Sequence, residues 1–385
     1  MDKLKPSKLK ISVLPLLAAF MLSSASGPGP RGPVGPDVTL SANEKAYFSE
    51  RVIAEGFTAT AVQDACNRAR SEGIPVVYLP SGEYIFDKTV DVPEGVTLLG
   101  SGAKSHIRSM TMNTKLFAVA GDDVRFTRLK LQGADTTQNA DNNTYGISVA
   151  GRKNIRIDHC EILGFRAATS FTEQATALVD HCFIHHNPRK GQGYGVIIMS
   201  GAKVMVSDNE FSQCRHSLAS NGNLDWTSAR RVGKYLRIPE PFTARTHWEF
   251  VHNYDHDDDK TEYRISRVDA HPGMDGTFVV EGNLFKNVRN AVEIRDGAGI
   301  IRGNLFQEMC SDSTAVMGVW IRYGTHNDFV VENSMPHDIE LTRNTFIPED
   351  VIDEKYRIET AVNITIDHEM VMETAVTTEF ELKPS

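Results

Sequence analysis

Two copies of one unit, 21 residues apart, constrain this chain more than any other feature of its sequence. Phe278-Val279-Val280-Glu281-Gly282-Asn283-Leu284-Phe285 returns as Gly299-Ile300-Ile301-Arg302-Gly303-Asn304-Leu305-Phe306. A short strand precedes each copy, Val268 to His271 and Val292 to Arg295. Strand, turn, strand, Asn, aromatic and return make one coil of a solenoid. Such a coil cannot bury its apolar face alone and must stack on copies of itself.

The same unit recurs at 126–131, 157–162, 179–184, 206–211 and 341–346, with a weaker copy at 250–255. Its fourth residue reads Leu129, Cys160, Cys182, Asn209, Asn253, Asn283, Asn304 and Asn344 in chain order. Stacked Asn side chains at a turn can bond coil to coil as amide ladders do, so this column is assigned to structure. Two gaps are long, 44 residues from Asn209 to Asn253 and 40 from Asn304 to Asn344. Insertions of this kind flank binding faces in solenoids. A last alternating run, Val362 to Ile366, is expected to close the C-terminal end.

Ahead of the repeats, Val62, Ala65, Cys66 and Ala69 follow helical spacing and Gly73 supplies a stop, which predicts an amphipathic helix over about 58–72. The strand Val76-Val77-Tyr78-Leu79 follows, then the turn Pro80-Ser81-Gly82, a second strand Tyr84 to Phe86, and Pro93-Glu94-Gly95 before Val96-Thr97-Leu98-Leu99-Gly100. This opening resembles that of the pectate-lyase-like superfamily of right-handed parallel β-helix proteins. The resemblance implies an all-β, single-stranded right-handed parallel β-helix of roughly ten coils, with the helix covering its first coil. It implies no one activity, because the superfamily holds lyases, hydrolases, epimerases and phage tailspikes.

Residues 1–26 read as an export signal, with Lys3, Lys5, Lys8 and Lys10 before an apolar run from Ile11 to Leu22 and small residues after it. That run is short for a membrane span. A secreted or periplasmic monomer, with no membrane span once the signal is removed, is the expectation. Residues 27–40, rich in Gly and Pro, read as a flexible extended linker, and residues 41–385 as the β-helix domain. A net charge of −9 argues against nucleic acid as partner. Five cysteines without close pairs make neither a disulfide framework nor a zinc site. Cys160 and Cys182 share one slot on adjacent coils, and are read as buried thiols in preference to a bridge.

Strand alternation turns the central stretch into a candidate site. With Val268, Ala270, Val292 and Ile294 facing in, Asp269, His271, Glu293 and Arg295 face out, on strands about 4.8 Å apart. Val319 and Ile321 extend the inner set, and Trp320 and Arg322 the outer one. Arg166, Arg215 and Arg289 hold equivalent turn positions, and His216 follows Arg215 onto the outer sheet. These residues have the ingredients for cleaving an acidic polysaccharide by β-elimination. Arg295 and Arg322 suit a uronate carboxylate, with Arg215 near them. His271 or His216 is a base, Asp269 or Glu293 orients it, and Trp320 offers a flat face to a sugar. Asp269 and Glu293 alone would suit a retaining glycosidase. A third reading is a non-catalytic glycan-binding or adhesive surface. No metal ligand set is assigned. Calcium is the one candidate ion, on Asp255-His256-Asp257-Asp258-Asp259, where a solvated acidic loop is the preferred reading.

The Asn-x-Asp, Asp-Asp, Gly-His-Gly and Arg-x-Lys set of polygalacturonase-like hydrolases is absent from the sequence. Tyr194 to Val196, Asn209 to Phe211, Arg215 to Ala219 and Asp269-Ala270-His271 are similar to motifs of secreted bacterial β-helix proteins. That likeness supports where the site lies. It departs at Pro272, where those proteins carry Gly.

Overall fold

A computed structural model describes residues 27–221, 235–236, 245–257, 265–273, 276–309, 317–322, 325–326, 329–331, 334–347 and 354–372. The N-terminal 26 residues, Cys310, Asp258 and Asp259 lie outside them. Each coil contributes one strand to each of three parallel sheets. Thr176–Asp180, Phe183–Asn187 and Tyr194–Met199, for example, pair with Lys203–Ser207, Glu210–Cys214 and His216–Asn221 of the next coil. Among the described residues the sheets hold 13, 10 and 10 strands, and are called here the first, second and third. The architecture is the right-handed parallel β-helix that the repeats imply.

The turn between the first and second sheets is built by a column in the left-handed region. Arg128, His159, His181, Asp208, His252, Gly282, Gly303 and Arg343 all have φ between 49° and 62°. The next residue is the repeated fourth position, and its side chain turns inward. Backbone N–H groups of Asn209, Asn253, Asn283 and Asn304 each donate to the Oδ1 of the following Asn, at 2.8–3.1 Å. Each Nδ2 also reaches back to a carbonyl, such as Asn283 to Phe250 at 2.7 Å. The amide ladder is therefore real, and it satisfies polar groups sealed from water. Cys182 joins it through its backbone, donating to Asn209 Oδ1. Cys160 and Cys182 are free thiols.

Two residues later the side chain is aromatic in the later coils. Phe285, Phe306 and Phe346 stack with centroids 5.3 and 4.7 Å apart. In the weaker copy this slot belongs to Asp255, in register with Phe211 and Phe285. Asp255 is fully buried and accepts from Arg267 Nε at 2.8 Å. The first residue of the acidic run is thus an internal ion-pair partner and not a surface oxygen ligand, because alternation points it into the core.

The expected cap helix, α2, spans Ala59–Glu72 after a shorter helix, α1 (Ala42–Tyr47). Thr58 caps α2, Gly73 ends it in the left-handed conformation, and Val62, Ala65, Cys66 and Ala69 face the first coil. Helix α1 was not foreseen, although Ser41 and Glu44 form a capping box that marks it. Ahead of it, residues 29–37 run along the left-handed turn column. Gly29 N donates to Gly282 O, Arg31 N to Asp208 Oδ1, Gly35 N to His181 O and Ala103 N to Asp37 Oδ1. At the far end Val362–Ile366 pairs with Pro336–Thr342 and, antiparallel, with Glu369–Met372. The two long insertions meet: Tyr235–Leu236 pairs with Phe329–Val331 in a small fourth sheet.

Candidate active site

The third sheet places the predicted outer columns in register. Asp269 pairs with Glu293 and Glu293 with Trp320, while Val268, Val292 and Val319 pair beside them and face the core. Backbone bonds from His271 to Ser220, Arg295 to Ala270 and Arg322 to Ile294 carry the register one residue beyond the strands, which aligns the second column. Arg166, Arg215 and Arg289 each directly precede a strand of this sheet. The outer face also holds a third column, with Tyr194 in register with His216 and Ser266 with Asn290.

The patch was expected to be exposed, and it is buried. Asp269 is 2% exposed, His216 2%, Glu293 4%, His271 5% and Arg295 8%. The side chains lie along the sheet and cover one another through ion pairs. Arg295 Nη2 donates to both oxygens of Asp269 at 2.7 Å, and its Nε lies 3.6 Å from Glu293 Oε1. Arg322 Nε donates to Glu293 Oε1 at 2.5 Å, and Ser266 Oγ to Oε2 at 2.9 Å. Both arginines assigned to a substrate carboxylate are thus bound to carboxylates of the protein. Trp320 is 8% exposed, with Arg322 at 4.5 Å and Arg357 at 5.4 Å from its ring centroid. Guanidinium groups take the place that a sugar ring was expected to fill.

Two imidazoles flank Asp269. His271 Nε2 lies 3.2 Å from Asp269 Oδ2, and its Nδ1 touches Asn221 Oδ1. His216 Nδ1 is 2.7 Å from the Ser266 carbonyl and 3.8 Å from Asp269 Oδ2, while its Nε2 meets Arg215 Nη1 at 2.6 Å. Arginine can only donate, so Nε2 accepts and Nδ1 carries the proton. Burial, reinforced by Arg215, pushes the His216 pKa well below its ordinary value and keeps the ring neutral. Burial also lowers that of His271, against the pull of Asp269. Burial alone would raise the Asp269 carboxyl, but Arg295 and both imidazoles outweigh it and hold the group well below the usual range.

His216, Asp269 and His271 present ligating atoms within 4.8 Å of one another. The donor set does not suit a divalent cation. Arg295 already neutralises both Asp269 oxygens, and Arg215 covers the free nitrogen of His216. The arrangement is an ion-paired acid–base cluster.

A pocket of about 100 Å³ opens beside it, lined by Tyr145, Arg166, Gln192, Tyr194, Ile197, Met199 and Asn221 among others. It adjoins the cluster directly, since Tyr194 stacks on His216 at 5.6 Å and Asn221 touches His271. Sequence reasoning missed Tyr194, Asn221 and Ser266 as site residues. Tyr194 opens the Tyr-Gly-Val run that was noted for its likeness alone. Ser266 escaped simple alternation because Arg267 and Val268 both face inward.

A family model described as rhamnogalacturonase A/epimerase, pectate lyase-like, matches residues 55–233. No curated protein sequence matches the chain. Among solved structures, an alginate lyase from Paenibacillus sp. str. FPU-7 superposes with a TM-score of 0.53 at 15% identity, covering 79% of this chain and 97% of that one. The catalytic domain of an α-1,3-glucanase in complex with nigerose gives 0.51 at 11%, covering 87% and 60%. The Dettilon tailspike protein gives 0.50 at 12%, covering 82% and 65%. At these identities the likeness is one of fold. Fold, repeat and family match agree: residues 55–233 match a pectate-lyase-like family model, and the chain has the right-handed parallel β-helix fold of the structures it superposes on.

Proposed function

We propose that this chain is a carbohydrate-active enzyme, exported through the signal at its N-terminus, that cleaves an acidic glycan by β-elimination on the outer face of its third sheet. The observation that carries the reading is the environment of His271. Its two ring nitrogens face two oxygens, Asp269 Oδ2 and Asn221 Oδ1, while burial keeps its pKa below the ordinary value. The resting ring is neutral, and Asp269 offsets part of the cost of the imidazolium that forms once it takes a proton. A neutral imidazole oriented by a carboxylate is the arrangement a general base needs.

With its own proton on Nε2 toward Asp269, His271 would remove the proton on C5 of a uronate at Nδ1, the substrate taking the place of the Asn221 contact on the pocket side. The C4–C5 double bond forms as the C4–O bond breaks, and the leaving oxygen takes up a proton. Tyr194 is the hydroxyl beside the pocket for that last transfer, since burial raises its pKa and keeps it protonated. Asp269 acts as a positioning group for His271, and His216, fixed between Ser266 and Arg215, orders the other side of the carboxylate. The glycosidase alternative fits less well. It needs one carboxylic acid proton donor, and Arg295 holds Asp269 ionised while Arg322 engages Glu293.

The test is ultraviolet absorbance of the unsaturated uronate over a panel of acidic polysaccharides, for the native chain and His271→Ala. A rise that disappears in the variant is expected. New reducing ends without that absorbance would sink elimination in favour of hydrolysis, and binding without new ends would favour a passive surface.

A further inference from the structure

Several arginines of this solenoid are matched with carboxylates. Arg125 and Arg156 pair with Asp158 and Asp180, Arg267 with Asp255, Arg295 with Asp269 and Arg322 with Glu293. Arg166, which lines the pocket, and Arg189 beside it are held by other groups. Arg166 lies over the Tyr145 ring at 5.3 Å, and its Nη1 donates to Asn143 Oδ1 at 3.3 Å. Arg189 Nη2 donates to the same oxygen at 3.2 Å, and its Nη1 reaches Gln192 Oε1 and the Lys190 carbonyl, both at 3.2 Å. Neither guanidinium forms a salt bridge among the described residues. Arg189 Nε is buried with no hydrogen-bond partner. Burial, and then the neighbouring Arg166, pull the Arg189 pKa below its usual value.

The local chain explains how they meet. Asn143 ends the loop before Tyr145–Ala150, Arg166 precedes Ala167–Thr172, and Arg189 lies in the loop before Tyr194–Met199. These are three successive coils at the same corner of the solenoid. The outer two loops are tied across the middle one by Lys190 N donating to Gln138 O. Below the corner the pocket wall is Tyr145, Tyr194, Ile197 and Met199, a largely apolar floor.

We propose that this pocket is a sugar subsite for an anionic substituent, with the ring on the Tyr145–Tyr194 floor and its oxyanion held between Arg166 and Arg189. The inference rests on the reading of the chain as a glycan-active enzyme, and it names the feature of the substrate that is recognised. A forked guanidinium pair suits an oxyanion, whether a uronate carboxylate or a sulfate ester. Asn143 and Gln192 hold the forks in place until the anion arrives. Because Arg295 and Arg322 are engaged by Asp269 and Glu293, this corner supplies the substrate-binding charge.

Calorimetric binding to the full chain tests it, using oligogalacturonate, oligomannuronate, a chondroitin sulfate oligosaccharide and a neutral cello-oligosaccharide. At least one acidic ligand binds, the neutral one does not, and Arg166→Gln and Arg189→Gln each weaken binding about tenfold or more. Carboxyl-reduced and desulfated forms of the ligand that binds tell carboxylate from sulfate. Arg166→Lys and Arg189→Lys, checked by thermal melting, keep the charge and guard against misfolding. Equal binding of neutral and acidic ligands, no binding of any acidic ligand, or arginine variants that bind like the native chain would each overturn the subsite. Binding is also measured on His271→Ala. Arginine-dependent binding without elimination by the native chain defeats the lyase reading alone, and elimination indifferent to both arginines defeats the subsite alone.

Discussion

His271 Nε2 stands 3.2 Å from Asp269 Oδ2, and the same carboxylate receives Arg295 Nη2 at 2.7 Å on both of its oxygens. One acid therefore serves a cation that fixes its charge and an imidazole that it orients. These partners come from three residues on two adjacent coils, so the parallel register alone brings them together.

That relationship predicts different losses for its members. Removing a positioned general base costs about 10²–10⁴-fold in rate. His271→Ala should lose kcat in that range while binding of an acidic oligosaccharide stays near native. Asp269→Asn keeps the shape and removes the charge that favours the imidazolium. Its kcat should fall, and the acid limb of its pH–rate profile should move to lower pH, because the carboxylate is what pulls the His271 pKa up against burial. Steady-state kinetics across pH separates the two, and an unmoved acid limb would remove Asp269 from the positioning role.

The Asp255–Arg267 pair predicts a reversal of sign between single and double variants. Both side chains are fully buried, and Asp255 stands between Phe211 and Phe285 in a column that continues as Phe306 and Phe346. Breaking a buried pair by removing one partner costs about 3–5 kcal/mol. Arg267→Met alone should destabilise by that order in denaturant melts. Asp255→Phe combined with Arg267→Met rebuilds the aromatic column and should recover most of the loss. A double variant as unstable as the single one would mean that the pair is fixed by its other bonds, among them Arg267 to the Cys214 carbonyl.

The amide ladder should be most sensitive in its middle. Asn283 Oδ1 accepts from the backbone and side chain of Asn253, and its own Nδ2 donates to Phe250 O and Asn304 Oδ1. Asn283→Ala strands several buried groups, at about 1–3 kcal/mol for each left unsatisfied. Asn344→Ala, at the partly buried end of the ladder, should cost less. Urea unfolding of the two variants side by side checks the order.

Much of this molecule could be read from its residues because a solenoid repeats one local decision. The 21-residue spacing set the coil, the fourth position set the ladder, and alternation set which of Val268, Asp269, Ala270 and His271 face out. What alternation could not give was whether an outward residue stays exposed. Arg295 and Arg322 reach back along the sheet onto Asp269 and Glu293, a choice made by charge partners on neighbouring coils. Nor could spacing join Asn143, Arg166 and Arg189, which lie at one corner only because loops of different length end there. The inward Asp255 looked like part of a surface run because Arg267, its partner, is twelve residues away.

The buried imidazoles give the last prediction its sign. Burial holds the folded pKa of His216 well below the ordinary value near 6.5 and lowers that of His271, whereas in the unfolded chain both titrate normally. Above about pH 6.5 neither state binds these protons and stability is unaffected. As pH falls below that value the unfolded chain takes up protons that the folded chain refuses, so stability declines until the depressed folded pKa is reached. Urea melts between neutral pH and mild acid should show this decline. His216→Gln removes the largest of the two shifts and should flatten the slope. If the slope in the variant matches that of the native chain, the acid sensitivity belongs to other groups and His216 is not the residue that resists protonation.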